Sequence, residues 1–519
     1  MPRSFNNAGP CQPDIHYVLP PERRLPGVRE LIDGRSYFVL HAPRQVGKST
    51  AMLNLGDALT AEGRYASVML SVESGVPFDD LDRAVPAILS TWRSRARNRL
   101  PVELQPPPWP ESAATAAFGE ALEAWALACP RPLVLFLDEV DSLAPEVLGS
   151  LLRQLRDLYN NRPRGFPWSI GLVGMRDVKD YVVAAGGTGR SAAGSPFNIL
   201  AGSLTLRNFT RDEIAELYAQ HAADTGQTFE AGAIDRVWAL TFGQPWLVNA
   251  LARECTTVLV RDRSVAIGPA HIDEAKETLV RTRPHHLQSL GSRLEEPRVR
   301  RVIEAVMSGE NPPSLSQDDA DYVVELGLIR FDDTQTPQIA NPIYADALPR
   351  ALVGSIQMSM PAPEIAWLDP TGRLDLVYLL DAMLQFWRQY GHPLMGTAPY
   401  HEIAAQLVLL AWLHRVSNGG GSVSPEFRVL SGRIDLCLRR GDVALGIELK
   451  VWREGRPDPL NEGLKQLDRY LARLSGTGPK IPGWLVIFDQ RPGLPAIEDR
   501  TSARSQTSPA GFEVVVVRG

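Results

Sequence analysis

Residues 36–50 read Ser-Tyr-Phe-Val-Leu-His-Ala-Pro-Arg-Gln-Val-Gly-Lys-Ser-Thr, an apolar run followed by a turn. A short apolar run that ends in a turn is typical of a buried strand. The end of the stretch matches the phosphate-binding loop G-x-x-x-x-G-K-[ST], except that Ala42 stands at the first glycine. The pattern predicts a strand, a phosphate-binding loop and a helix over 51–58.

Each residue kept in this loop has a chemical role. Gly47 lets backbone N–H groups face phosphate oxygens, and Lys48 places a positive charge on the β- and γ-phosphates. The Ser49 hydroxyl is a ligand for Mg²⁺. We therefore expect ATP and Mg²⁺ as cofactors. The predicted loop contacts are Arg44, Gln45, Val46, Gly47, Lys48, Ser49 and Thr50.

A second buried strand, Leu133 to Leu137, ends in two acids. Asp138 is expected to hold the water shell of Mg²⁺, and Glu139 is expected to orient the attacking water as a catalytic residue. The alternative is a buried strand that merely ends in acidic solvent. The upstream loop favours the first interpretation.

Two further apolar runs, Val68 to Leu70 and Ile170 to Val173, predict strands, and helical patterns separate all four. Such an alternation predicts a parallel sheet covered on both faces. After the fourth strand, Arg176 is expected beside the γ-phosphate, the alternative being a surface arginine. Pro245, in Gly-Gln-Pro, is expected to pack on adenine, the alternative being a plain helix start.

The middle of the chain is predicted to be mainly helical. Thr210 and Glu213 form a capping box that opens a helix over 211–223. Around 281–350, two helices and a short hairpin resemble a winged helix. A basic cluster at its start (Arg293, Arg298, Arg300 and Arg301) fits duplex DNA, a solvated face or a contact with the first domain. The neighbouring His285 and His286 lack partners at ligand spacing and are expected on the surface.

A hairpin near the carboxyl end carries a second set of functional residues. The runs 433–438 and 443–451 alternate apolar and polar residues. A turn centred near 440–441 places Asp435 close to opposite Gly446, with Asp435, Glu448 and Lys450 on one face. The alternative is an amphipathic hairpin whose solvent face happens to carry these charges.

These residues suit metal-assisted cleavage of a phosphodiester. Asp435, Glu448 and the Leu449 carbonyl can bind Mg²⁺ or Mn²⁺ through oxygen. Lys450 can position or deprotonate the attacking water. Glu402, at the start of an upstream helix, could add a carboxylate. Gln466 and Tyr470 lie one turn apart on a downstream helix and face the same way.

Roughly residues 15–350 resemble the prokaryotic AAA-like ATPases, relatives of the archaeal-type ATPases and of the signal-transducing ATPases with numerous domains. The resemblance implies an ATPase core, a helical lid and a winged helix, with a conformational switch driven by ATP, sometimes in an oligomer. No arginine finger acting in trans is identified. The residues that carry the resemblance are Arg44 to Thr50, Leu133 to Glu139, Ser195 to Ile199, Phe209, Thr210 and Glu213, Gly243 to Leu247 and Asn341 to Tyr344.

Residues 395–490 resemble the PD-(D/E)xK nuclease superfamily. Its pattern is a helix Glu, a strand Asp, a Glu-x-Lys strand and a Gln-x-x-x-Tyr helix. The matching residues are Glu402, Asp435, Glu448, Lys450, Gln466 and Tyr470. Ile434 stands where the family has proline, which removes no metal ligand. The resemblance implies a nuclease that cuts DNA.

The predicted fold class is α/β. A P-loop NTPase parallel sheet with a helical lid and a winged helix precedes a mixed-sheet α/β domain of the restriction-endonuclease type. The predicted ranges are 1–210 for the ATPase core, 211–280 for the lid, 281–357 for the winged helix, 358–394 for a linker and helix, and 395–519 for the nuclease-like domain. Proline- and glycine-rich stretches at 101–110 and 184–196 are expected to be insertion loops.

The composition is that of a globular protein, with 44% hydrophobic and 22% charged residues, which excludes a disordered chain. Net charge is −6, and the residues from 401 onward are slightly basic, which favours this segment as a contact for nucleic acid, the alternative being ordinary charge scatter. That the expected nucleic acid is DNA is implied by the nuclease resemblance. The four cysteines are scattered, and no signal peptide or apolar run of membrane-spanning length is present, so we expect a cytoplasmic protein without membrane contacts. A homo-oligomer is also expected.

Three functions remain open at this point. The first is a metal-dependent nuclease regulated by ATP, with defence against foreign DNA as one setting suggested by analogy. The second is a signalling or scaffold ATPase whose carboxyl-terminal module only binds DNA or a protein. The third is a DNA-remodelling motor that uses the nuclease fold as a grip.

Overall fold

A computed structural model of the 519-residue chain describes residues 3–174, 199–282, 285–308, 316–359, 374–397, 404–417, 422–428, 433–440, 443–476 and 478–519. The chain divides into two compact units. The first comprises Met1–Leu279 and Glu325–Gly327, and the second comprises Val280–Val324 and Leu328–Gly519. Among the described residues, no helix combines the length and the apolar character needed to cross a membrane.

A five-stranded parallel sheet forms the centre of the first unit. Its strands are β1 (Tyr37–His41), β2 (Ala66–Ser71), β3 (Leu133–Asp138), β4 (Ser169–Gly174) and β5 (Leu200–Thr205), in the order β2-β3-β4-β1-β5. The predictions of β1 to β4 are confirmed. β5 was not predicted, because its residues alternate between half-buried and exposed and include no continuous apolar run.

Two apolar clusters cover the two faces of this sheet. Tyr37 and Val39 of β1 belong to one cluster, whereas Phe38 and Leu40 belong to the other, as the two-residue period of a strand requires. Because both faces are buried, β1 reads as an unbroken apolar run. The covering helices are α1 (Val28–Asp33), α2 (Lys48–Ala61), α3 (Leu81–Arg99), α4 (Ala117–Ala128) and α5 (Pro145–Asp157).

Four helices follow the sheet in sequence: α6 (Arg211–Thr225), α7 (Ala231–Thr241), α8 (Pro245–Glu254) and α9 (Pro269–Thr282). The capping box that opens α6 is confirmed. Thr210 Oγ1 accepts a hydrogen bond from Glu213 N at 3.2 Å, and Glu213 Oε2 accepts one from Thr210 N at 2.8 Å. Each side chain thus satisfies an N–H group that a helix start leaves open.

Residues 285–359 contain α10 (His285–Arg293), α11 (Pro297–Ser308), α12 (Gln317–Glu325), β6 (Ile329–Phe331), β7 (Pro337–Ile339) and α13 (Pro342–Ser359). The helices and the antiparallel β6–β7 pair occur in the predicted order. The expectation that His286 lies on the surface is wrong. His286 is buried, its Nε2 lies 2.6 Å from the Tyr344 hydroxyl, and burial lowers its pKa to about 4.

The chain ends in a mixed six-stranded sheet of order β12-β13-β11-β10-β9-β8, in which β11 runs parallel to β10 and β13. Leu467 and Leu471 of α16 pack in one apolar core with Leu485 and Ile487 of β11. The elements are α14 (Leu376–Thr397), α15 (Ala404–Ser417), β8 (Ser422–Arg428), β9 (Arg433–Arg440), β10 (Val443–Trp452), α16 (Leu460–Ser475), β11 (Gly483–Asp489), α17 (Ile497–Arg500), β12 (Ser502–Thr507) and β13 (Glu513–Arg518).

The register of the β9–β10 hairpin differs from the prediction by two residues. Asp435 pairs with Glu448 rather than with Gly446, and Arg440 pairs with Val443. The centre of the pairing is therefore one residue later than the sequence suggested. A shift of two residues keeps every residue on the same face of the sheet, so the grouping of Asp435 with Glu448 stands.

The predicted loops and linker have different outcomes. In the stretch 101–110, Val102–Leu104 forms one turn of 3₁₀ helix and the rest is irregular. The loop at 184–196 lies outside the described residues, as does most of the proline-rich stretch 358–372. Its first two residues, Met358 and Ser359, belong instead to the last turn of α13.

Candidate functional site

The phosphate-binding loop connects the end of β1 to the start of α2. Gly47 has a φ of 92° and caps α2 without any side chain accepting from the helix. The first N–H groups of α2 therefore have no side-chain cap and are available to an anion. Ala42, at the first glycine position, is buried and is not among the described residues with positive φ, so its Cβ is accommodated.

Lys48 lies across this loop. Its Nζ donates to the carbonyl oxygens of Ala42 at 2.6 Å and Pro43 at 3.1 Å. Burial lowers the pKa of Lys48, and the negative charges of Asp141 and Asp138 partly oppose this effect. The ammonium group is thus held over the loop, where it can meet the phosphates of a nucleotide.

Ser49 and Asp138 bring the ends of α2 and β3 together. Ser49 Oγ donates to Asp138 Oδ2 at 3.0 Å. Burial raises the pKa of Asp138, because the charged carboxylate loses solvation. A hydroxyl and a carboxylate are hard oxygen donors of the kind Mg²⁺ prefers, so this pair fits the predicted metal.

Glu139 follows Asp138 in a strained backbone conformation. Its φ is 63°, in the left-handed region that non-glycine residues seldom adopt. Partial desolvation raises its pKa, and the charges of Asp138 and Asp141 add to the rise. A carboxylate of raised pKa is a better acceptor for a proton from water, which suits the predicted catalytic role.

Lys48, Ser49 and Glu139 line a cavity of 530 Å³, whereas Asp138 lies behind Ser49 and does not line it. Most of the predicted loop contacts, together with Glu139 and Pro245, line it, whereas Val46 is buried behind the loop. Arg176 lies outside the described residues, so its proximity to the γ-phosphate stays a prediction. The predicted residues that line the cavity are Arg44, Gln45, Gly47, Lys48, Ser49, Thr50, Glu139 and Pro245.

One wall of this cavity was not predicted from the sequence. The amino-terminal segment 6–11 contributes five of its residues to the lining. Cys11 N donates to Thr50 Oγ1 at 3.0 Å, and Asn7 O accepts a hydrogen bond from Trp246 Nε1 at 2.7 Å. The segment is therefore tied to α2 and to α8, and no motif in residues 6–11 signals either contact.

Two more missed residues support the loop from behind and from the side. The Arg24 guanidinium is buried and donates to the carbonyl oxygens of Val46 at 2.8 Å and Arg207 at 2.5 Å. Burial lowers its pKa to about 9, which leaves it charged at neutral pH. Gln244 Nε2 donates to the Gln45 carbonyl at 3.3 Å, so the start of α8 also touches the loop.

The second unit brings three of the predicted polar residues together. Lys450 Nζ lies 2.8 Å from Glu448 Oε1 and donates a hydrogen bond to Gln466 Oε1. Glu448 is only 1% exposed, whereas the Lys450 side chain is 11% exposed. Gln466 Nε2 donates to Glu462 Oε1 at 2.6 Å, which orients the amide so that its oxygen faces Lys450. Glu462 was not singled out from the sequence.

The site was also predicted to include Tyr470, Leu449, Glu402 and Asp435. Tyr470 is fully buried in the apolar core, with its ring against Gly446, and Leu449 is buried within β10. Glu402 lies outside the described residues, and Asp435 is placed by its strand register. Among side chains that the structure describes, no group of three or more His, Cys, Asp or Glu has the arrangement of a metal site.

The basic cluster at 293–301 is largely neutralised by neighbouring acids. Arg298 lies 3.4 Å from carboxylate oxygens of both Asp318 and Asp319, and Arg301 lies 2.9 Å from Asp319. Arg293 pairs with Glu296 at 2.5 Å. These exposed ion pairs favour the alternative of a solvated helix face over contact with DNA.

Comparisons with known proteins give matches that cover most of the first unit and part of the second. The model of the AAA-like domain family matches residues 27–346. No curated protein sequence matches this chain. Among solved structures, the Walker-type ATPase of Pyrococcus abyssi is similar at 16% identity, covering 66% of this chain and 99% of that chain, with a TM-score of 0.46.

Two further structures are similar over a comparable length. The RuvB Holliday-junction branch-migration motor of Thermotoga maritima has 15% identity over 62% of this chain and 90% of its own, with a TM-score of 0.34. Cdc6p of Pyrobaculum aerophilum has 11% identity over 64% of this chain and 92% of its own, with a TM-score of 0.35. The family model spans more than half of the chain and includes the loop at Gly47 and the two acids, Asp138 and Glu139, at the end of β3. The chain therefore belongs to the AAA-like domain family, as a P-loop ATPase.

Proposed function

We propose that ATP turnover in the first unit regulates a Mg²⁺-dependent nuclease in the second, and that its substrate is DNA. The observation that carries the proposal is the cluster of Glu448, Lys450 and Gln466 on one side of the mixed sheet, with Asp435 opposite Glu448 in the register. The order and spacing of these residues match the nuclease pattern described above.

The burial of this charged cluster supports a functional role. Removing a carboxylate and an ammonium group from water costs several kcal/mol per ion, and a buried pair seldom improves on apolar packing. Glu448 nevertheless lies between the apolar residues Ile447 and Leu449 of β10, with almost no exposure. We therefore attribute the buried Glu448 carboxylate to a role in catalysis rather than to a contribution to the stability of the fold.

The cluster also fits a divalent metal. The ion pair between Glu448 Oε1 and Lys450 Nζ lacks the geometry of a hydrogen bond, which leaves an acceptor lone pair on that oxygen. Glu448 and Asp435 would hold Mg²⁺ or Mn²⁺ with the Leu449 carbonyl, and Glu402 would add a carboxylate. The metal would lower the pKa of a bound water, Lys450 would position that water, and Gln466 would hold Lys450.

The direct test is cleavage by the purified full-length chain. Single-stranded DNA, duplex DNA and RNA are each incubated with Mg²⁺ or Mn²⁺, in the presence and absence of ATP. We expect DNA to be cleaved and the rate to depend on ATP. A chain that hydrolyses ATP but cleaves none of the three polymers would contradict the proposal and favour a signalling or scaffold switch.

The Lys450→Ala variant is expected to cleave DNA at least about a hundredfold more slowly than the wild type, because the positioned ammonium group is lost. ATP hydrolysis should remain at the wild-type rate. Cleavage is followed by gel electrophoresis and hydrolysis by phosphate release. Lys465→Ala is the matched control, since Lys465 is an exposed lysine on α16, next to Gln466. Equal loss in both variants would rule out a specific role for Lys450.

The fall in the rate of ATP hydrolysis at low pH should be set by the raised pKa of Glu139. As pH falls through that pKa, the carboxylate is protonated and no longer accepts a proton, so the rate declines at a higher pH than for an ordinary glutamate. Asp141→Asn removes one negative neighbour and should move the decline to lower pH. The pH dependence of kcat measures the shift, with the exposed Asp157→Asn as control. If the wild type, Asp141→Asn and Asp157→Asn show the same pH dependence, Asp141 does not raise the pKa of Glu139.

A further inference from the structure

Asn249 is a buried polar residue with one unused hydrogen-bonding atom. It lies on α8, is 7% exposed and lines the cavity that contains Lys48 and Ser49. Its Nδ2 donates to the Pro245 carbonyl at 2.9 Å. Within the described chain, its Oδ1 has no hydrogen-bond partner.

The orientation of this amide is set by its neighbour. A backbone carbonyl accepts only from the NH₂ side of an asparagine, so the contact with Pro245 leaves the oxygen as the open group. A buried acceptor without a donor is unfavourable, and the cost is removed when a ligand supplies the donor. The site is therefore prepared for a ligand that presents an N–H group.

Asn249 lines the cavity from α8 and not from the phosphate-binding loop, so we assign it to the base end of a nucleotide. The N–H groups at the start of α2 take the phosphates, whereas Pro245, Trp246 and Asn249 line the cavity from α8. The segment 6–11 lies on the same cavity and is held to Trp246 through the Asn7 carbonyl. Two apolar rings beside a buried amide whose oxygen lacks a partner are a composition expected around a purine.

We propose that Asn249 selects the base, with Oδ1 accepting a hydrogen bond from the 6-amino group of adenine. A purine with an oxygen at position 6 presents an acceptor there, so it would face Oδ1 with a repulsive contact and leave it unsatisfied. The assignment rests on nucleotide binding by the first unit and is independent of the nuclease proposal. Asn249 acts here as a specificity residue, and the phosphate contacts do not depend on it.

The test compares ATP with inosine triphosphate, which carries an oxygen in place of the 6-amino group and the same phosphates. Dissociation constants are measured by titration calorimetry on the full chain, with Mg²⁺ withheld so that neither nucleotide is hydrolysed. The wild type is expected to bind ATP at least about tenfold more tightly than inosine triphosphate. Asn249→Leu should weaken ATP binding, should not weaken inosine triphosphate binding because the repulsive contact is removed, and should bring the ratio near one.

Two further variants make the outcome decisive. Asn249→Ala, with a smaller side chain, should abolish discrimination in the same way, whereas the exposed Asn98→Leu should preserve the wild-type ratio. A ratio that stays at the wild-type value in both Asn249 variants would overturn the inference while leaving nucleotide binding intact. A wild-type chain that binds neither nucleotide would instead overturn the nucleotide site itself, and the inference with it.

Discussion

The Glu139→Gln variant should hydrolyse ATP at least about a hundredfold more slowly than the wild type and bind ATP with unchanged affinity. Glutamine has the shape of glutamate but cannot accept the proton of the attacking water. The groups placed for binding are elsewhere: Lys48 over the loop, and Ser49 beside Asp138. The substitution therefore separates the chemical step from binding, and an effect on kcat without one on Kd is expected.

Phosphate release and titration calorimetry measure these two quantities. Glu146→Gln is the matched control, because Glu146 is an exposed glutamate at the start of α5 and does not line the cavity. Its rate and affinity should equal those of the wild type. A Glu139→Gln variant that keeps more than about a tenth of the wild-type rate would show that another group orients the water.

The Gly243→Ala variant should be destabilised by more than about 3 kcal/mol, since the new methyl group has no room and the backbone is unsuited to it. Gly243 has a φ of 74°, and a Cβ there would lie 1.9 Å from the Phe209 carbonyl oxygen. The clash is with backbone, which is held in place because Phe209 N donates to the Gly243 carbonyl at 2.9 Å. Relief requires moving the chain that precedes α6 or the start of α8.

Gly226→Ala isolates the backbone contribution. Gly226 has a φ of 79° with open space around it, so this variant should lose only about 1 kcal/mol. Urea unfolding of the full chain, followed by tryptophan fluorescence, compares the variants. The relevant transition is the one that ATP moves to higher urea, because a ligand stabilises the unit that binds it. Equal losses at the two positions would show that the clash is relieved elsewhere.

The sequence was informative wherever burial imposes a simple pattern. β1 and β3 are covered on both faces, so each appears as an unbroken apolar run followed by residues that line the candidate nucleotide cavity. The capping box of α6 is equally local, since Thr210 and Glu213 are three residues apart. Short-range patterns of this kind are sufficient to predict the phosphate-binding loop and the two acids at the end of β3 from the sequence.

Residues that act across long sequence separations could not be found in this way. Cys11 meets Thr50, Trp246 meets Asn7, and Arg24 meets the Arg207 carbonyl, yet no pattern in either partner marks the contact. β5 escaped for a different reason: as an edge strand it is only half covered, and its residues lack the apolar signal. The unpartnered oxygen of Asn249 could not be predicted either, because it results from how the side chain packs in the folded protein and not from the residue type.

The hairpin register carries a consequence for how relatives of this chain can diverge. Arg440 and Val443 form the first pair of the ladder, and Asp435 and Glu448 form the sixth. Inserting or deleting one residue between Arg440 and Val443 would reverse the sides of β9, exchanging the face that carries Leu436 and Leu438 with the face that carries Asp435 and Cys437. Evolutionary changes in the length of this connection should therefore accumulate in steps of two, and an odd step should coincide with loss of Glu448 or Lys450.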